Sequence, residues 1–169
     1  MLHSRRSVLL ASIAACIVAW TSAPGSALAQ HSHEHASGTA ASDNLKLDAG
    51  KKWPTDAVLR SGMAEIHSAF EADHPAIREG RETDSQYEVL ATRIESQVNS
   101  IVAHCKLPAE ADENLHYVIA DLAQGVNLMR GKDSEHTRHD GAALVHGALL
   151  AYGAHFDDPG WSAEPADKH

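Results

Sequence analysis

"TDSQYEVLATRIESQVNSIVAHCKLPAEADENLHYVIADL", residues 83–122, is the stretch whose reading decides the fold. It opens on a capping-box pattern, Thr83 followed three residues later by Gln86, in which each side chain serves the other residue's backbone amide. Tyr87, Leu90, Ile94, Val98, Ile101 and Cys105 then recur every three or four residues. That spacing gathers them on one stripe of a helix and leaves the charged residues on the opposite face. Pro108 interrupts the register, because the residue before a proline is driven away from helical conformation. A second stripe follows in Leu115, Ile119, Leu122, Val126 and Met129. Two amphipathic helices joined by a few residues bury their stripes only with further layers packed on them.

Working outward, the same signal appears on both sides. Upstream, Leu59, Met63, Ile66 and Phe70 repeat at helical spacing, with Thr55 as the expected N-cap. "DHP" at 73–75 is expected to break or kink that helix, and a turn passes through Gly80. Downstream, "GKDSEHTRHDG" leads to a fourth stripe, Val145, Leu149, Tyr152 and Phe156, which "DDPGW" ends. No strand pattern or internal repeat stands out. The expectation is an all-α chain, a single up-and-down four-helix bundle over residues 45–161, with Leu45, Leu47 and Trp53 packed on its end.

The flanks have a different character. Residues 1–29 read as a signal peptide: Arg5 and Arg6, an apolar run, then "SALAQ" with a small-residue site cleaved after Ala29. The "SRRSVLL" start resembles a twin-arginine signal, and "IAAC" resembles a lipoprotein box that the continuing apolar run argues against. The expected location is the periplasm, with no membrane segment in the mature form. Residues 30–44, "QHSHEHASGTAASDN", are small and polar and are expected to form a disordered His-rich arm. Residues 162–169 read as a flexible tail.

Charge narrows the function. The 169-residue chain carries 14 basic and 23 acidic residues. Loss of residues 1–29 removes two arginines and no acid, taking the net charge from −9 to −11. An acidic chain without a basic patch argues against nucleic acid and anionic membranes as partners. Cys16 leaves with the signal, so Cys105 alone remains and no internal disulfide can form. A lone thiol in an oxidising compartment is buried, metal-bound or paired between chains. The oligomeric state is open at this stage.

Histidine is the compositional anomaly: twelve of the thirteen lie beyond residue 29. "HSHEH" supplies His31, His33 and His35, and neutral imidazole suits copper, nickel and zinc. The plain alternative is a solvated tail. Cys105 lies on an apolar stripe, where a thiol is by default a small core residue. Its metal reading joins it to Met63, His104 or His116 around copper(I), which soft sulfur ligands select. That set depends on where the third helix begins. A start at Pro108 puts His116 about 10 Å along the axis and out of reach, whereas a start at Asp112 brings it within about one turn. Met63 with His155 or His146 is also the architecture of a Met/His haem pair in a four-helix electron carrier. Glu135, His136, His139 and Asp140 have spacings that could hold zinc, against the plainer reading of a solvated helix start. No H-E-x-x-H, G-x-S-x-G or phosphate-loop pattern is present, and the chain is read as a non-enzyme.

Three blocks, "LDAGKKWPTDAVLRSGMAEI", "IVAHCKLPAEADENLHYVIADL" and "AYGAHFDDPGW", resemble the DnrO-like family of small exported bacterial helical proteins. The resemblance spans residues 45–161 and implies a single exported helical domain; it assigns no activity and no site residue. The sequence therefore leads to a periplasmic metal-binding bundle, copper first and zinc or nickel next, with His31, His33, His35, Met63, His104, Cys105 and His116 as ligands. The competing expectations are a haem carrier and a cofactor-free module that docks a periplasmic protein through Trp53, Phe156 and Trp161.

Overall fold

The computed structural model describes residues 40–161. Four helices make up most of it: α1 (Ala57–Arg78), α2 (Asp84–His104), α3 (Ala109–Met129) and α4 (Arg138–His155). Each helix packs on the next in sequence, and α1 closes on α4. The anticipated stripes form the shared core: Leu59, Met63, Leu90, Ile94, Leu122 and Val145 are all completely buried. Among the described residues no helix is long and apolar enough to cross a membrane.

The helix ends follow local chemistry. Thr83 and Gln86 form the expected capping box, and Thr137 with Asp140 forms a second at the start of α4. Gly80 (φ 63°) and Gly131 (φ 67°) occupy the left-handed region just past α1 and α3. There the amides of Arg81 and Lys132 reach back to the carbonyls of Ala76 and Asn127. This 6→1 closure requires a residue that tolerates positive φ.

Four sequence expectations are corrected. Asp56, not Thr55, caps α1: its Oδ1 accepts the Leu59 amide at 2.7 Å. Thr55 instead donates its hydroxyl to the Asp157 carbonyl. Pro75 does not end α1, which continues to Arg78. Proline removes one amide bond from the helix interior, but Phe70 and Ile77 on either side are buried and hold the helix against its neighbours. A strand pairing exists where none was expected: Trp53–Pro54 (β1) runs parallel to Phe156–Asp157 (β2), joining the two ends of the bundle chain. Finally, the last residues of the supposedly disordered 30–44 arm are ordered. Ala41–Asn44 form a 3-10 turn packed on α3 and α4.

α3 and α4 approach each other closely at two glycines. A Cβ on Gly125 would fall 2.6 Å from Val145 Cγ2, and one on Gly141 would fall 2.7 Å from the Gly125 carbonyl oxygen. The two backbones meet where only glycine leaves room.

Candidate functional site

Three places among the described residues bear on the expected chemistry, and the first is the α2–α3 corner. Cys105 is the last residue of α2's stripe and has left helical conformation (φ −65°, ψ 142°). It is half-buried, packed against the core. The neighbouring Asp56 carboxylate ties the corner to α1: Oδ1 caps Leu59, and Oδ2 accepts the Lys106 amide at 2.7 Å. The same carboxylate carries its charge close to the Cys105 thiol. Burial, reinforced by the Asp56 and Asp112 charges, pushes the thiol up to about 11, so it is protonated at neutral pH. Burial acts to raise the Asp56 carboxyl, but the amide bonds from Leu59 and Lys106 outweigh it and hold the group below its usual value.

The start of α3 is settled at Pro108, its N-cap residue. Cys105 and His116 nevertheless line one groove of about 310 Å³, together with Val102, Asp112 and Leu115. His116 is mostly exposed, at 73% of its side chain. Its Nδ1 lies 2.7 Å from the Asp112 carbonyl one turn back. His104 and His155 repeat this arrangement, to the carbonyls of Ser100 (3.0 Å) and Ala151 (2.8 Å). A carbonyl oxygen only accepts, so each Nδ1 carries the hydrogen and the neutral ring keeps its lone pair on Nε2. A fixed tautomer with an outward Nε2 is the arrangement that prepares a histidine for a metal.

The expected ligand set is not gathered. Met63 is completely buried in the apolar core, so binding haem or copper through its sulfur requires opening that core. His104 is exposed and is not among the side chains lining the Cys105 groove. Among the described residues, no three His, Cys, Asp or Glu side chains group as they would around one ion. His31, His33 and His35 lie outside the described residues. In "EHTRHD", Asp140 is occupied by the Thr137 capping box and His136 lies 3.2 Å from Asp133. Trp53, Phe156 and Trp161 close on their own chain: Phe156 is buried, and Trp161 packs edge-on to Tyr152 at 4.7 Å and over Gly153.

The second place is the root of the arm. Asp121, 3% exposed on α3, accepts the amides of Ala41 and Ser42 at 2.7 and 2.8 Å. Farther along, Asn114 accepts the Lys46 amide at 3.0 Å. The chain is thus laid along α3 from residue 41 to residue 46. Sequence reading missed Asp121. Its only trace there is an acid flanked by Ile119 and Leu122 of the apolar stripe.

The third place lies between α1 and α4 and was also missed as a unit. His67, Glu71 and His74 follow one another on α1, and His146 of α4 meets His74. Glu71 Oε1 is buried without a hydrogen bond, 3.9 Å from His67 Nε2 and 3.7 Å from His74 Nδ1. The rings of His74 and His146 lie 5.1 Å apart, tilted by 50°, and Phe70 packs on both. The i, i+4, i+7 spacing of His67, Glu71 and His74 was visible in the sequence. The crossing that brings His146 to His74 was not.

Comparison of the chain with protein-family models, with curated proteins and with solved structures gives no match.

Proposed function

We propose that the protein is a non-enzymatic metal-binding bundle of the periplasm, exported with cleavage after Ala29, and that copper is its ion. The observation that carries this reading is that Cys105 and His116 line one groove. A thiol and an imidazole Nε2 are donors suited to copper(I); with α3 starting at Pro108, the His116 side chain has to swing across that groove toward the sulfur for both to reach one ion. The ion must displace the proton of a thiol held near 11, so uptake releases a proton and strengthens as pH rises. Met63 and His104 have structural positions and are left out of the bundle's donor pair. His31, His33 and His35 form the capture element. The DnrO-like resemblance is compatible with an exported helical carrier.

Metal analysis of protein purified from periplasm tests the proposal. Three chains are compared: the wild type, a variant lacking residues 30–39, which keeps the Asp121 clamp, and Cys105→Ala. The expected result is copper in the wild type and a partial loss in each variant. Equal copper in all three, or none in the wild type, overturns it.

A further inference from the structure

We propose that the cleft between α1 and the segment following β2 binds a small aryl carboxylate, a ring joined to a carboxylate by a short chain. Arg60 holds the carboxylate, and Trp161 with His67 holds the ring. The cleft is separate from the Cys105 groove, and the proposal stands whether or not that groove binds copper.

The cleft has the size and the walls for such a ligand. It measures about 640 Å³ and is lined by Arg60, Ala64 and His67 on one side and by Asp158, Pro159 and Trp161 on the other. Sites for small ligands run from about 300 to 1,000 Å³. Arg60, Ala64 and His67 stand at i, i+4 and i+7, so they share one face of α1. The charged and aromatic ends of that face are about 10 Å apart along the axis, and the small Ala64 between them leaves the space open. At the aromatic end the His67 and Trp161 rings pack at 4.8 Å. Trp161 is fixed in turn by its edge contact with Tyr152 at 4.7 Å and by Gly153, where a Cβ would fall on the indole.

Charge supplies the second, independent observation. The Asp158 carboxylate lines the cleft, but its two oxygens accept the Tyr152 hydroxyl and the Gly160 amide, each at 2.9 Å. Arg60 has donors to spare. Among the described residues it bonds through Nη1 alone, to the Thr55 carbonyl at 2.9 Å and the Thr55 hydroxyl oxygen at 3.0 Å. Thr55 passes its own hydroxyl hydrogen to the Asp157 carbonyl at 2.7 Å. The guanidinium is therefore anchored to β2 through Nη1, while Nε and Nη2, which form one edge of the planar fork, remain for a ligand. That edge matches a carboxylate through two parallel N–H···O bonds. A guanidinium already held in place loses less freedom on binding. An aryl carboxylate satisfies both ends of the cleft at once. A bare anion leaves the aromatic wall unused, and a neutral arene leaves the guanidinium unpaired.

The test titrates the mature full-length chain with 3-phenylpropionate and follows nitrogen-bound protons by NMR. Trp53, whose indole N–H donates to the Lys46 carbonyl, serves as internal reference. Saturating shifts are expected at the Trp161 indole and at Arg60 Nε, with Trp53 unmoved. 3-Phenylpropionamide, which lacks the charge, and propionate, which lacks the ring, should each bind more weakly by about tenfold or more. Arg60→Gln should weaken 3-phenylpropionate by about tenfold or more, as loss of hydrogen bonds from a charged group does, and Cys105→Ala should leave it unchanged. The three ligands are compared on the unaltered chain, so a poorly folded Arg60→Gln does not blunt the test. Acid and amide binding alike, propionate binding as well as the aryl acid, or shifts that spare Trp161 overturn the proposal. Loss of copper from the Cys105 groove leaves it standing.

Discussion

Asp121 accepts the Ala41 and Ser42 amides with one carboxylate oxygen each, at 2.7 and 2.8 Å, across a sequence separation of about 80 residues. A single buried acid on α3 thereby holds Ala41 and Ser42 against the bundle. Asp121→Ala is expected to lower stability by about 1.5–3 kcal/mol, the range for hydrogen bonds to a charged group. Urea unfolding measures this, and hydrogen exchange should show the Ala41 and Ser42 amides losing protection while α2 keeps its own. Unchanged protection at those two amides would show that the clamp does not hold the segment.

Asp56 should behave as a joint between three elements. Asp56→Ala removes the α1 cap, worth about 1 kcal/mol, together with the Lys106 bond. Its folded carboxyl lies below the usual value. Its stabilising contribution is therefore complete above the unfolded carboxylate range and is lost as pH falls through the lower, folded value. A wild-type-minus-variant stability difference that shrinks toward acid pH is the expected curve.

The same substitution should wake the thiol. Burial remains, but without the Asp56 charge Cys105 descends from about 11 toward the ordinary thiol range. Alkylation rates followed against pH should rise at lower pH in Asp56→Ala than in the wild type. Identical profiles would mean that burial alone sets the thiol.

Glu82 presents the opposite sign. Both of its carboxylate oxygens are buried without a hydrogen bond, and burial with the nearby Asp73 charge raises its pKa. The ionised form thus costs stability at neutral pH. Glu82→Gln is expected to stabilise by about 1 kcal/mol, measured by urea unfolding at pH 7. The gain should vanish below the unfolded carboxylate range, where both folded and unfolded wild-type chains are protonated.

Two glycines on one helix should respond in opposite directions. Gly141→Ala forces a methyl group to 2.6 Å from the Met129 nitrogen, a backbone atom that cannot swing aside. It should cost about 1–3 kcal/mol, as overpacking does. Gly147→Ala meets nothing within 4 Å and should add up to about 1 kcal/mol through helix propensity. Thermal melts of the two variants provide the comparison.

What the chain determines by itself is local and periodic. The four apolar stripes, the Thr83 capping box and the positions of the turn glycines follow from 3.6-residue spacing and from backbone amides that need partners. For those reasons the helical architecture was legible without coordinates. Tertiary structure decided what depends on crossings. It carried α1 through Pro75, because burial of Phe70 and Ile77 outweighs one missing amide bond. It made Asp56 rather than Thr55 the cap, because that carboxylate also serves Lys106 some fifty residues away. It buried Met63, separated His104 from the Cys105 groove and turned Asp121 from an acid on an apolar helix into an anchor. It also brought His146 to His74. Side chains on different helices meet only where the axes cross, and the crossing angle and register are set by the packing of whole faces, down to the contact of Gly125 with Gly141.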